Sequence, residues 1–159
     1  MTDSSEASEI PEEGSLLGLD YGEKRVGLAI CTPDRTMAVP LDTYHRVNHQ
    51  IDTPYLQQIV KDHRIVGIVI GLPVHISGDE GRLAHQARQY GEWVAEVTEL
   101  PVVFWDERYT SSAADDLLNQ AELTSRMRKQ HRDRIAAQII LESWLAAPNK
   151  NATPKPFDD

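Results

Sequence analysis

The chain has 159 residues, 40% hydrophobic and 26% charged, which suits one well-cored globular domain and is short for two. A formal net charge of −9 argues against strong non-specific binding to a polyanion, although five of the acids (Asp3, Glu6, Glu9, Glu12 and Glu13) lie ahead of Gly14, where there is no Lys or Arg. The single cysteine, Cys31, excludes an internal disulfide framework and suits a reducing compartment.

Residues 1–13 read as a solvated, disordered acidic tail, 14–147 as the folded domain, and 148–159 as a flexible C-terminal tail rich in Pro, Asn and Lys. The first residues lack the basic and apolar regions of a secretory leader, and no apolar run approaches the roughly 18 residues of a membrane span. A soluble, cytoplasmic protein with no membrane partner is expected. Residues 16–20 form a short apolar run ending in Asp20, Tyr21-Gly22-Glu23-Lys24 is a turn signal, and Arg25–Cys31 is a second strand, so the two make a hairpin. Residues 36–44 suit a third strand weakened by Pro40. Thr53 and Pro54 read as the cap and first position of a helix whose buried stripe is Leu56, Ile59 and Val60.

Ile65–Leu72 is nearly all apolar, the pattern of a strand covered on both faces. A helix over 81–98, a buried strand over 101–106, a helix opening at Ser111 or Ser112, a loose basic stretch over 120–129 and a last helix over 130–146 follow. Antiparallel strands followed by alternating helices and buried strands predict an α/β fold with a mixed sheet and helices on both faces.

Three acidic positions carry the functional argument. Strand alternation places Gly18 and Asp20 on one face, and an acid at the end of a strand is where ligands gather in α/β sheets. From Asp133, the small or apolar residues Ala136, Ala137, Ile140, Leu141 and Trp144 fall at helical spacing, so this acid opens the sheet-facing side of the last helix. A carboxylate aimed at a core is costly unless it is paired or holds a cation. Asp106 and Glu107 end the second buried strand, and periodicity alone does not choose between them. Oxygen-only carboxylate sites suit Mg²⁺ or Mn²⁺, and two such ions would activate a water and stabilise a leaving oxygen in phosphodiester cleavage. The six histidines show no zinc-type spacing, and there is no Walker or dinucleotide-binding motif.

Four segments in order, Leu17-Gly-Leu-Asp20-Tyr-Gly-Glu-Lys-Arg25-Val-Gly-Leu-Ala29, Ile68-Val-Ile-Gly-Leu-Pro73, Asp106-Glu-Arg-Tyr-Thr110 and Asp133-Arg-Ile-Ala-Ala-Gln-Ile-Ile-Leu141, resemble the YqgF/RuvX family of Holliday junction resolvase-like nucleases. The resemblance spans about residues 16–146 and implies a ribonuclease H-like fold: a five-stranded sheet, antiparallel over its first three strands and parallel thereafter. It also implies that Asp20, Glu107 and Asp133 are the catalytic, metal-binding acids, which favours Glu107 over Asp106. The implied activity is trimming of the 5′ end of precursor 16S ribosomal RNA in ribosome biogenesis. A Holliday junction endonuclease is the alternative, and a non-catalytic RNA- or ribosome-binding protein on the same fold is a third reading.

Related junction resolvases carry a fourth acid three residues before the helix acid, where this chain has Gln130, so one or two metals remain open. Val74-His75-Ile76-Ser77 departs from the family's usual Leu-Asn-Met-Asp in the loop after Pro73. Lys24, Arg25, Arg108, Arg128 and Lys129 neighbour the acids and are the candidate phosphate contacts, independent of base sequence. Gly22, Gly27 and Gly71 are expected where backbone must approach closely. The oligomeric state has no signature in the chain.

Overall fold

The structure, a computed structural model, describes residues 9–73, 80–107 and 125–147, the last of these with side chains from Arg132 onward. Five strands, β1 (Ser15–Asp20), β2 (Arg25–Cys31), β3 (Ala38–His45), β4 (Ile65–Leu72) and β5 (Val102–Asp106), form one sheet in the order β3-β2-β1-β4-β5. The β1/β2 and β2/β3 pairs are antiparallel, and β4 pairs in parallel with both β1 and β5. The expected mixed sheet is therefore present in full. Three helices are described: α1 (His49–His63), α2 (Arg82–Thr98) and α3 (Ser125–Ala146). None of them is long and apolar enough to cross a membrane.

Strand alternation splits the core into two layers. Leu17, Leu19, Ile68 and Ile70 pack with Leu56 of α1 and with Tyr90 and Val94 of α2. Leu16, Cys31, Val69 and Trp105 face the other way, against Ile140, Leu141 and Trp144 of α3. Helices thus cover both faces, which explains why β1 and β4 have no polar side. On the α1 face, Tyr44 donates to Asp52 (2.7 Å), Tyr55 donates to Asp42 (2.6 Å), and the two rings stack with centroids 3.8 Å apart. This reciprocal clasp ties the edge strand to the helix that follows it.

Three boundaries differ from expectation. α1 starts earlier than Thr53, because Asn48 supplies a better cap: its side chain accepts from the Ile51 amide at 2.9 Å. Pro54 consequently lies inside the helix. β3 runs from Ala38 to His45 and tolerates Pro40 as an edge strand, with a register shift that pairs Leu28 with Asp42 but Ala29 with Pro40. α3 begins at Ser125, so residues 125–129, expected to be loose, are helical. Arg and Lys are good helix formers, and neither Gly nor Pro interrupts residues 125–146. The helix expected to open at Ser111 or Ser112 lies outside the described residues.

At the sheet's opposite end from Asp20, Ile10 packs beside Val66 in the α3-side core layer, close over Gly67. Arg35 holds this approach in place, donating from Nε to the Gly14 carbonyl at 3.0 Å and from its other guanidinium arm to the Pro11 carbonyl. Ile10 and Pro11, expected within the tail, thus contact the body.

Candidate active site

Asp20 is the last residue of β1, and its two strand neighbours in register are both glycines, Gly27 on β2 and Gly71 on β4. Register partners share a face, so the carboxyl emerges between two positions that carry no side chain. These glycines make room for what comes from above. A Cβ on Gly27 would overlap the backbone carbonyl of Asp133, and one on Gly71 would come within 2.6 Å of Glu107 Oε1. Gly18, one pleat earlier on the same face, lies under the Ala137 carbonyl and Leu141, where a Cβ would come within 2.9 and 3.0 Å of them. α3 therefore rests directly on the β1–β2 backbone, and this contact fixes where Asp133 stands.

The register also separates Asp106 from Glu107. Asp106 pairs with Leu72, is 5% exposed, and lies on the α2 face of the sheet. Trp105, whose indole donates to Ser143 of α3 at 2.8 Å, lies on the opposite face, and Glu107 follows it two residues later. The carboxyl that reaches Asp20 is that of Glu107.

Asp20 and Glu107 are hydrogen-bonded through their carboxyl groups. Burial is the main cause that raises the Asp20 pKa well above the usual carboxylate range; the Glu107 hydrogen bond, the Glu107 charge and the Asp133 charge add to it, and Arg132 opposes. Glu107 is raised too, first by burial and then by the charge of Asp106, while its bond to Asp20 works the other way. Burial and mutual contact favour a single proton shared by the two carboxyls, which titrate as a pair.

Asp133 is arranged differently. Its Oδ2 accepts from Arg25 Nε at 2.9 Å, with side chains 20% and 39% exposed respectively. Among the described residues no three His, Cys, Asp or Glu side chains stand as a ready cation cage. Two of the three predicted acids meet directly, and the third is close enough for its charge to reach Asp20 while its oxygen is engaged by Arg25. Lys24 is exposed on the turn beside Arg25. Arg108 and residues 74–77 lie outside the described residues, as do the side chains of Arg128, Lys129 and Gln130.

The donor set fits a hard divalent cation. Two buried carboxyls in contact can hold one another only through a proton, and a cation is what replaces that proton when both are ionised. A third carboxylate within electrostatic reach would complete an all-oxygen set, provided that it leaves Arg25.

One residue of the site's framework escapes sequence reasoning. Arg46, just beyond β3, donates from one guanidinium nitrogen to the carbonyls of Gly22 (2.9 Å) and Glu23 (3.0 Å) and to the Tyr21 hydroxyl (3.2 Å). The guanidinium stands 5.1 Å from the ring centroids of both Tyr21 and Tyr90. It clamps the β1–β2 turn that carries Lys24 and leads from Asp20 to Arg25. Its partners are backbone carbonyls and distant rings, for which the sequence carries no local signal.

Residues 14–147 match the RuvX family, described as Holliday junction resolvase. A protein of Rhodopirellula baltica named "Putative pre-16S rRNA nuclease" is 39% identical over 137 residues, 86% of this chain and 79% of that protein. A protein of the same name from Rhodobacter capsulatus is 37% identical over 139 residues, 87% of each chain. Among solved structures, Thermus thermophilus RuvC in complex with a Holliday junction substrate aligns with a TM-score of 0.54 at 11% identity, covering 91% of this chain and 99% of that one. The fowlpox virus Holliday junction resolvase aligns with a TM-score of 0.51 at 13% identity, covering 82% and 97%. At these identities the structures testify to the fold alone.

Proposed function

The chain belongs to the RuvX family, and from that premise we propose that it is a nuclease that trims the 5′ end of precursor 16S ribosomal RNA by phosphodiester hydrolysis. Asp20, Glu107 and Asp133 are its catalytic acids and hold Mg²⁺ or Mn²⁺. The observation that carries this reading is the hydrogen-bonded Asp20–Glu107 pair at the carboxyl end of the sheet, with Asp133 beside it. Buried acids in mutual contact are unfavourable for folding, and a cation-dependent reaction is a reason to keep them.

When bound, the cation supplies Lewis-acid stabilisation of a phosphodiester and lowers the pKa of a coordinated water. The chain's own groups do the rest. With a cation held there, Asp20 and Glu107 would both be ionised, the cation standing in for the proton they share. Lys24 and Arg25 sit on the exposed rim beside Asp20, where they contact phosphates without reading bases. Arg108, Arg128 and Lys129 are assigned the same role from their places in the sequence. Gly27 and Gly71 let the acids converge without a side chain between them. The setting is the cytoplasm, where ribosomal RNA is processed.

The test compares two substrates under Mn²⁺: a 16S precursor with its 5′ leader, and a four-way DNA junction of equal length. Accumulation of the mature RNA end, lost in Asp20→Asn, is the expected result. Cleavage of the junction alone would reassign the enzyme to branched DNA. RNA processing that survives Asp20→Asn, in vitro and in a deletion strain, would leave the fold as a binding scaffold.

A further inference from the structure

The chain supplies its own cation to Asp133. Arg25 Nε donates to Oδ2 at 2.9 Å across 108 positions of sequence, and backbone packing sets up the meeting. Asp133 is seated on Gly27, and Arg25 lies two residues earlier on β2, so both project from the same strand face. Asp20 pairs with Gly27 in register, so the same seat holds Asp133 beside the Asp20–Glu107 pair.

The ion pair is not needed to hold the helix. Ala137, Ile140, Leu141 and Trp144 are buried against the sheet, and Gly18 and Gly27 admit the helix backbone directly. A part-exposed pair adds little to stability beside that packing. More than a third of the Arg25 side chain is in solvent, which leaves the guanidinium a path outward. What the pair does occupy is one oxygen of a carboxylate that a divalent ion would use.

We infer that Arg25 is a built-in counter-cation that a divalent metal must displace from Asp133, so that guanidinium and metal compete for one carboxylate. This rests on the reading of Asp133 as a metal-holding acid. It makes metal affinity a property set partly from β2, weaker than the three acids alone would give. The displaced guanidinium remains at the rim of the site, where a substrate phosphate is its natural acceptor.

Isothermal titration of MnCl₂ into the full chain tests this for wild type, Arg25→Gln, Asp133→Asn and the double variant. Arg25→Gln is expected to bind Mn²⁺ about threefold to fivefold tighter than wild type, the range an exposed ion pair can withhold. Asp133→Asn is expected to bind more weakly, and adding Arg25→Gln to it should restore nothing, since the competition is for that carboxylate. Equal or weaker Mn²⁺ binding by folded Arg25→Gln overturns the inference while wild-type binding keeps the nuclease reading. Absence of binding in all four proteins overturns both. A measurement on the unaltered chain guards against misfolding of the variant: the Arg25 Nε–H resonance should lose its protection from solvent exchange on addition of Mg²⁺. A resonance unmoved by saturating Mg²⁺ is a second way for the inference to fail.

Discussion

Gly27 of β2 and Asp133 of α3 touch backbone to backbone, with no space for a β-carbon between them. The seat of the helix acid is therefore set by the absence of a side chain on the facing strand. Gly27→Ala must push α3 off the sheet or bend β2, and overpacking of this kind costs about 1–3 kcal/mol. Denaturant unfolding should show that loss, and RNA cleavage should fall further than stability does, because Asp133 moves relative to Asp20. An alanine variant as stable and active as wild type would mean the contact is not close in solution.

Asp20 makes a pH prediction with a definite sign. Its pKa in the folded chain is raised, chiefly by burial, above the value of about 3.9 it has when unfolded. Between the two values the folded chain binds the extra proton, so stability falls as the pH rises through that window. Each unit of separation corresponds to about 1.4 kcal/mol. In chelator, Asp20→Asn should therefore raise the melting temperature at pH 7, and the gain should vanish near pH 4. A variant melting below wild type at pH 7 would contradict the buried, protonated state.

Glu107, on the α3 face, is the acid at the end of β5 that joins Asp20. Glu107→Gln keeps the shape and a hydrogen-bonding partner for Asp20 but cannot complete an ionised pair. Cleavage of precursor RNA should drop by about a hundredfold or more, with RNA affinity in chelator unchanged. Single-turnover rates and fluorescence anisotropy separate the two effects.

Arg46 predicts a local failure rather than a global one. Arg46→Ala removes three charge-assisted hydrogen bonds and two ring contacts around the β1–β2 turn. Amides of residues 22–25 should exchange with solvent much faster, and stability should fall by about 1.5–3 kcal/mol. Arg46→Lys, which keeps the charge but not the planar fork, should recover only part of the protection. Uniformly faster exchange across the sheet would point instead to a general loss of packing.

The features that repeat along the chain were readable from it. The apolar run Ile65–Leu72 announced a strand covered on both faces, and the spacing from Asp133 to Trp144 announced the buried side of α3. Local signals were less decisive where two competed: Asn48 outranked Thr53 as the cap of α1, since its side chain is the one that meets a free amide. Asp106 and Glu107 could not be told apart by alternation, because the strand's phase is defined only by its neighbours; the pairing of Leu72 with Asp106 supplies that phase. The Arg25–Asp133 pair and the Arg46 clamp join groups far apart in sequence through tertiary contacts, for which no periodicity exists.

Ile10 gives the molecule two unlike ends. The carboxyl end of the sheet carries the acids, whereas among the described residues the other is stoppered by Ile10, whose approach Arg35 holds in place. Uncorking it by starting the chain at Gly14 would bare the apolar lining around Leu16, Val66 and Gly67 while leaving the reacting groups where they are. Such a shortened protein should clump on gentle warming, visible as light scattering, yet cut RNA normally before it does.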